Sequence, residues 1–116
     1  MQPAALFAAL ADPTRCRMVE MLHEQARPVH ELAAAFAISR PAISRHLRVL
    51  KQAGLVAEER RGRENVYALV REPMRPLVAW LERQGARGPE LRVTAELERP
   101  RAKRVADPVP QLAFDL

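Results

Sequence analysis

The chain has 116 residues, a formal charge of +5, a pI near 10.6, five aromatic residues and one cysteine. That size suits one domain with one core; no apolar run approaches the ~20 residues of a membrane span, and a lone thiol supplies neither an internal disulfide nor a structural zinc site. With so few aromatics the core must be Leu, Val, Ile and Ala, which favours helices over a β-sandwich, while the positive charge suits a polyanionic partner.

The opening "MQPAALFAALADPTR" has no basic leader segment, so a soluble, cytoplasmic protein is expected. Leu6, Phe7 and Leu10 form a short apolar helical face. Asp12 then reads as an N-cap with Pro13 at the first helical position, where a missing N–H costs nothing. Met18, Val19 and Leu22 continue as the buried stripe of a second helix. Pro28 marks a break before "VHELAAAFAI", a third helix with Leu32, Ala35 and Phe36 on one face. Ile38-Ser39 is a tight connection, and Ser39 caps a fourth helix that tolerates Pro41 in its first turn. Helix, short turn and capped basic helix make a helix-turn-helix.

Gly54 is placed to end the fourth helix. Two strand-like runs follow, Leu55 to Arg60 and Asn65 to Val70, around "RGRE", with Gly62 available for a positive-φ turn. This predicts a two-stranded hairpin with an arginine tip. Met74, Leu77, Val78 and Leu81 recur at i, i+3, i+4 and i+7, the pattern of an amphipathic last helix. From Gly85 onward the periodicity weakens. That stretch holds Pro89, Pro100, Pro108 and Pro110 and nearly balanced charge, so residues 85–116 read as a flexible tail with a short ordered piece near Leu91 to Leu97. Residues 1–84 read as the domain.

The fourth helix, Arg40 to Ala53, carries the functional signal. On a wheel of about 100° per residue, Ile43, Leu47 and Leu50 share one arc, with His46 and Ala53 at its edge. Arg40, Ser44, Arg48 and Lys51 lie opposite, with Pro41, Arg45 and Gln52 close by, and no carboxylate of the helix interrupts them. A surface helix usually mixes Glu with Lys to gain i,i+4 pairs. A helix without them fits the DNA major groove, where Arg takes guanine O6 and N7 and Ser serves either strand. Arg60, Arg61 and Arg63 on the hairpin are placed to reach backbone or minor groove. The candidate DNA-binding set is thus Ser39, Arg40, Pro41, Ser44, Arg45, Arg48, Lys51, Arg60, Arg61 and Arg63.

The segments "ALADPTRCRMVEML" (9–22), "ISRPAISRHLRVLKQAGLV" (38–56) and "RRGRENVYAL" (60–69) together resemble the ArsR-type winged helix-turn-helix regulators of bacteria. The likeness spans about residues 4–84. It implies a mainly α fold with a small β wing, a homodimer, a palindromic operator, repression by occlusion and release by an effector. By the same resemblance the DNA-reading positions match Arg40, Pro41, Ser44 and Arg45, and the first and last helices form the dimer interface. That implicates Leu6, Phe7 and Leu10 with Leu77, Val78, Trp80 and Leu81; packing within the monomer is the alternative for these residues.

The departures are specific. Metal-sensing members carry Cys-x-Cys where this chain has Pro28 and His30, and others place Asp and His along a last helix that here has no His. His23, His30 and His46 are scattered over different helices, so no metal site and no cofactor are expected. Cys16 reads first as a packing residue. A redox role is the alternative, since Arg15, Arg17 and a helix N-terminus lower a thiol pKa. The last residues, Gln111 to Leu116, resemble a sliding-clamp docking hexapeptide, with Phe114 where Leu is usual. No Ser-His-Asp or Cys-His set, phosphate loop or carboxylate pair stands out, so the chain is not read as an enzyme. The leading reading is a DNA-binding repressor with an unknown small-molecule or redox effector. The alternative is a winged-helix protein-interaction module with an acidic partner.

Overall fold

The computed structural model describes residues 3–89. The chain order is α1 (Pro3–Leu10), α2 (Pro13–Glu24), β1 (Arg27–Pro28), α3 (Val29–Ala34), α4 (Arg40–Gln52), β2 (Val56–Arg61), β3 (Glu64–Leu69) and α5 (Met74–Gly85). The expected tail, its ordered piece near Leu91 to Leu97 and the hexapeptide from Gln111 lie outside the described residues.

Local chemistry sets the helix ends. Asp12 accepts the Arg15 N–H at 3.0 Å and starts α2 with Pro13 at its first position. Ser39 Oγ accepts the Ala42 N–H at 3.2 Å and starts α4. Each cap satisfies one backbone donor that the helix cannot. At the other end of α4, the Gly54 N–H bonds Lys51 O and the Leu55 N–H bonds Leu50 O, both at 3.0 Å. This is a Schellman motif, and it needs a left-handed residue, which Gly54 supplies with φ of 81°. Leu50 and Leu55, which flank the motif, are both fully buried. The chain therefore leaves α4 directly into the sheet.

Arginines close other helix ends. Arg15 Nε donates to Ala9 O at 2.6 Å and Nη2 to Ala8 O at 3.3 Å, at the end of α1. Arg27 Nε reaches Met21 O at 3.2 Å and Arg71 Nη2 reaches His23 O at 3.1 Å, both at the end of α2. A cation beside the last carbonyls is favourable to the helix dipole. Part of the basic excess is thus structural.

Besides one-residue shifts at the ends of the hairpin strands, two features differ from the sequence expectation. The third helix stops at Ala34, not Ile38, because the Ala35 and Phe36 N–H groups bond back three residues, to Leu32 O and Ala33 O. That tightens the last turn, and Phe36 packs against the core from the resulting bend. The sheet has three strands in the order β1-β3-β2, rather than two. Arg27 and Pro28 pair with Tyr67 and Val66. Two residues, one of them Pro without an N–H, give no alternation to read, and Pro is acceptable only because β1 is an edge. The hairpin itself is antiparallel, with Arg61 opposite Glu64 across Gly62 and Arg63. Gly62 has φ of 63° and Arg63 a negative φ, the sign pattern of a type II′ turn.

One cluster holds these parts together. Met18, Met21 and Leu22 of α2, Leu32 of α3, Ile43, Leu47 and Leu50 of α4, Leu55 of the turn after it, and Val56 and Tyr67 of the sheet are all buried in it. Leu6 and Leu77 join the same cluster.

Replacing Gly54 tests the helix exit. An added Cβ would meet only Pro73 Cγ, at an ordinary 3.8 Å, so the cost is the left-handed backbone alone. Gly54→Ala should lower stability by about 1–2 kcal/mol in urea unfolding, with an unchanged m-value. An unchanged midpoint would show that α4 can end without a left-handed residue.

Candidate nucleic-acid interface

The structure brings most of the predicted residues onto one side of the molecule. Burial of Ile43, Leu47 and Leu50 turns Ser39, Arg40, Pro41, Ser44, Arg45, Arg48 and Lys51 to solvent. His46 stays at the inner edge, with Nδ1 3.1 Å from Arg15 Nη1 and 3.9 Å from Asp12 Oδ2. Arg40, Arg45 and Arg48 have no ion pair among the described residues.

Arg60, Arg61 and Arg63 are exposed around the wing tip. Arg60 Nε donates to Gly62 O at 3.3 Å, and Arg61 Nε pairs with Glu59 at 2.7 Å. Both members of the second pair are more than 60% exposed, so it holds Arg61 only weakly.

Sequence reasoning missed the link between helix and wing. Strand alternation puts Val56, Glu58 and Arg60 on one face of β2, and Val56 is buried under α4. Glu58 therefore points toward the helix. Its Oε1 lies 2.7 Å from Lys51 Nζ, and its Oε2 accepts the Tyr67 hydroxyl at 3.0 Å. These three side chains, with Ser44, Leu47 and Arg48, line a cleft of about 200 Å³ between α4 and the sheet. The alternation signal was present in the sequence, but the partner was not. The Lys51 and Tyr67 hydrogen bonds hold the Glu58 carboxyl below its ordinary range. Burial, then the bond to Glu58, pushes the Tyr67 phenol up.

Cys16 is half-buried, which accords with the packing role read first for it. Arg15 still pulls the Cys16 pKa down, but burial and the Glu20 carboxylate outweigh it, and Arg17 reaches that same Glu20 at 3.5 Å. Cys16 Sγ donates to Leu10 O at 3.0 Å, and burial followed by the Glu20 charge raises its pKa. The histidines do not converge. His23 meets Arg71, His30 meets Glu64 at 2.7 Å, and His46 meets Arg15. Among the described residues, no group of three or more His, Cys, Asp or Glu is placed to hold a metal.

The residues assigned to a dimer contact divide. Leu6 and Leu77 belong to the protomer's own core, at 6% and 5% exposure, because their sides of α1 and α5 face inward. Leu10 is half-buried against that core. Phe7 and Trp80 meet edge-on, with ring centroids 5.9 Å apart. Phe7, Val78 and Leu81 keep exposed surface.

Residues 12–58 match the family model described as bacterial regulatory protein, arsR family. The transcriptional repressor SdpR of Bacillus subtilis is 33% identical over 76 residues, covering 66% of this chain and 84% of that protein. The chain belongs to the ArsR family. The HTH-type transcriptional repressor SmtB of Mycobacterium tuberculosis is 48% identical over 64 residues, 55% of this chain. The chain spans about half of SmtB's length, 47%, against 84% of SdpR's. Among solved structures, an ArsR-like transcriptional regulator from Rhodococcus has a TM-score of 0.65 at 32% identity, covering 93% of this chain and 95% of the other. The ArsR-family assignment and the element order therefore agree on a mostly helical winged helix-turn-helix.

The ion pair on this family member's wing has a pH signature. The folded pKa of Glu58 lies below its ordinary 4.5, so its contribution is present above that pH and is lost as pH falls through the folded value. Urea unfolding of wild type and Glu58→Gln should differ near neutrality and converge in acid. A gap that stays constant into acid would show that the carboxylate charge contributes nothing.

Proposed function

We propose that this ArsR-family chain is a sequence-specific DNA-binding transcriptional regulator, acting as a homodimeric repressor on an inverted-repeat operator. One observation carries the reading. The capped α4 buries its apolar stripe and exposes Arg40, Ser44, Arg45 and Arg48 without an ion pair on any of them among the described residues. In this reading Arg40, Pro41, Ser44 and Arg45 meet base edges in the major groove. Ser39, Arg48 and the wing arginines Arg60, Arg61 and Arg63 position the protein on phosphates. Residues 1–84 are the DNA-binding and dimerisation domain. It works in the cytoplasm, as a regulator rather than an enzyme. No helix among the described residues is long and apolar enough to cross a membrane.

The dimer contact would use the apolar surface that the protomer leaves uncovered, Phe7, Val78 and Leu81, with the edge of Trp80. Exposure of 52% for Val78 and 45% for Leu81 on one amphipathic helix supports this. Leu81→Glu should shift sedimentation toward the monomer without unfolding the chain. An unchanged association state would move the contact elsewhere.

Selection of bound genomic fragments by the purified protein at near-physiological salt tests the function. An inverted repeat should be enriched over random DNA. Salt-sensitive binding with no enrichment would favour an acidic protein partner for the same face. Arg45→Ala should weaken the selected site by about 1–3 kcal/mol and random DNA less. Arg63→Ala should weaken both equally and flatten the salt dependence. Equal loss on all sequences for Arg45→Ala would make Arg45 a phosphate contact.

A further inference from the structure

Lys51 ends the exposed basic face of α4, where its ammonium would serve as a phosphate contact. A lysine is a point charge on a flexible stem and reads little sequence there. The structure gives that charge another destination. Lys51 Nζ lies 2.7 Å from Glu58 Oε1 on β2. The carboxylate is itself fixed from behind, because its other oxygen accepts the hydroxyl of buried Tyr67 at 3.0 Å. Tyr67 stands directly opposite Glu58 in the strand register, so the backbone pairing holds both.

The second basic pair of the wing shows what an unanchored contact looks like. Glu59 is 68% exposed and has only Arg61 as a partner among the described residues, whereas the Glu58 side chain is 23% exposed and holds two donors. A phosphate can draw Arg61 from Glu59 at little cost. It must compete with a fixed carboxylate for Lys51.

We propose that Glu58 is a specificity-determining residue of the interface: by holding Lys51 on the wing, it removes a sequence-blind cation from the phosphate-binding set and widens the gap between cognate and random DNA. The same clamp is a positioning contact, since it ties the last turn of α4 to β2 beside Ser44 and Arg48. The inference rests on the DNA-binding reading above. It adds a carboxylate that raises selectivity by subtracting affinity, one of the ways in which specificity is obtained by working against the wrong partner.

The experiment compares wild type, Glu58→Gln, Lys51→Met and the double variant. Each is titrated onto the selected fragment and onto a random duplex by fluorescence anisotropy across a salt series. Glu58→Gln should bind random DNA several-fold more tightly at low salt. Its slope of log K against log salt should steepen by about 0.9 for each engaged protomer, since each freed ammonium displaces one more counterion. The ratio of cognate to random affinity should fall. The double variant, which removes both charges of the pair, should return to the wild-type slope and cancel the gain, whereas Lys51→Met alone leaves the Glu58 carboxylate unpaired.

Two results overturn the proposal while leaving the parent reading intact. One is a uniform loss of affinity in Glu58→Gln with no change of slope, which would make Glu58 structural only. The other is a double variant whose slope is shallower than that of wild type, which would put Lys51 on phosphate already; should Glu58→Gln fail to fold, Glu58→Ala with and without Lys51→Met makes the same comparison. Wild-type protein that shows no salt-dependent DNA binding would overturn the DNA-binding reading and this inference with it.

Discussion

The rotation of α4 about its own axis is the constraint on which the rest depends. Ile43, Leu47 and Leu50 are each at most 1% exposed. Each such side chain is worth about 1.5–3 kcal/mol in burial, and truncating one would cost ~2–5 kcal/mol. A helix anchored by three such side chains cannot turn without taking them out of the core. Their burial therefore decides which residues face outward. Arg40, Ser44, Arg45 and Arg48 are presented because the leucines and isoleucine are not available for anything else.

The ends of the same helix are fixed with equal economy. Ser39 closes its start and Gly54 its exit. The exit matters for function, because Leu55 drops straight into the core and begins the path to β2. The wing is thus held at a set distance from the basic face by a short Schellman turn. Longer and more variable linkage would let wing and helix search separately, and the Lys51–Glu58 contact would not persist.

Charge in this protein is divided by role, and its net value conceals the division. Arg15, Arg27 and Arg71 close helix ends on backbone carbonyls. Lys51 and Arg61 are matched to neighbouring glutamates, one firmly and one loosely. Arg40, Arg45, Arg48 and Arg63 are left facing solvent with no ion pair among the described residues. A formal charge of +5 would not distinguish these groups. Arg75, Arg83 and Arg87 are likewise exposed without an ion pair among the described residues, at α5 and just beyond it, so the α4 and wing-tip arginines stand out by sharing a helix-turn-helix and its wing rather than by being unpaired.

The sequence by itself determined whatever depends on near neighbours along the chain. The caps at Asp12 and Ser39, the glycine turns at 54 and 62, and the apolar stripe of α4 were all legible, because each is a relation spanning at most a helix or a hairpin. The family resemblance followed from the order of those local signals. Only the tertiary structure decided the contacts between distant segments. It added the two-residue strand at Arg27 that pairs with Tyr67, stopped α3 at Ala34, and turned Leu6 and Leu77 into the protomer's own core. It also raised the Cys16 pKa, by burying the thiol and setting the Glu20 charge near it. The Glu58 carboxylate shows the reason most plainly. Alternation said which way it pointed, but its partners come from a different helix and the opposite strand. Residue spacing carries no record of which side chains packing will bring within hydrogen-bond distance.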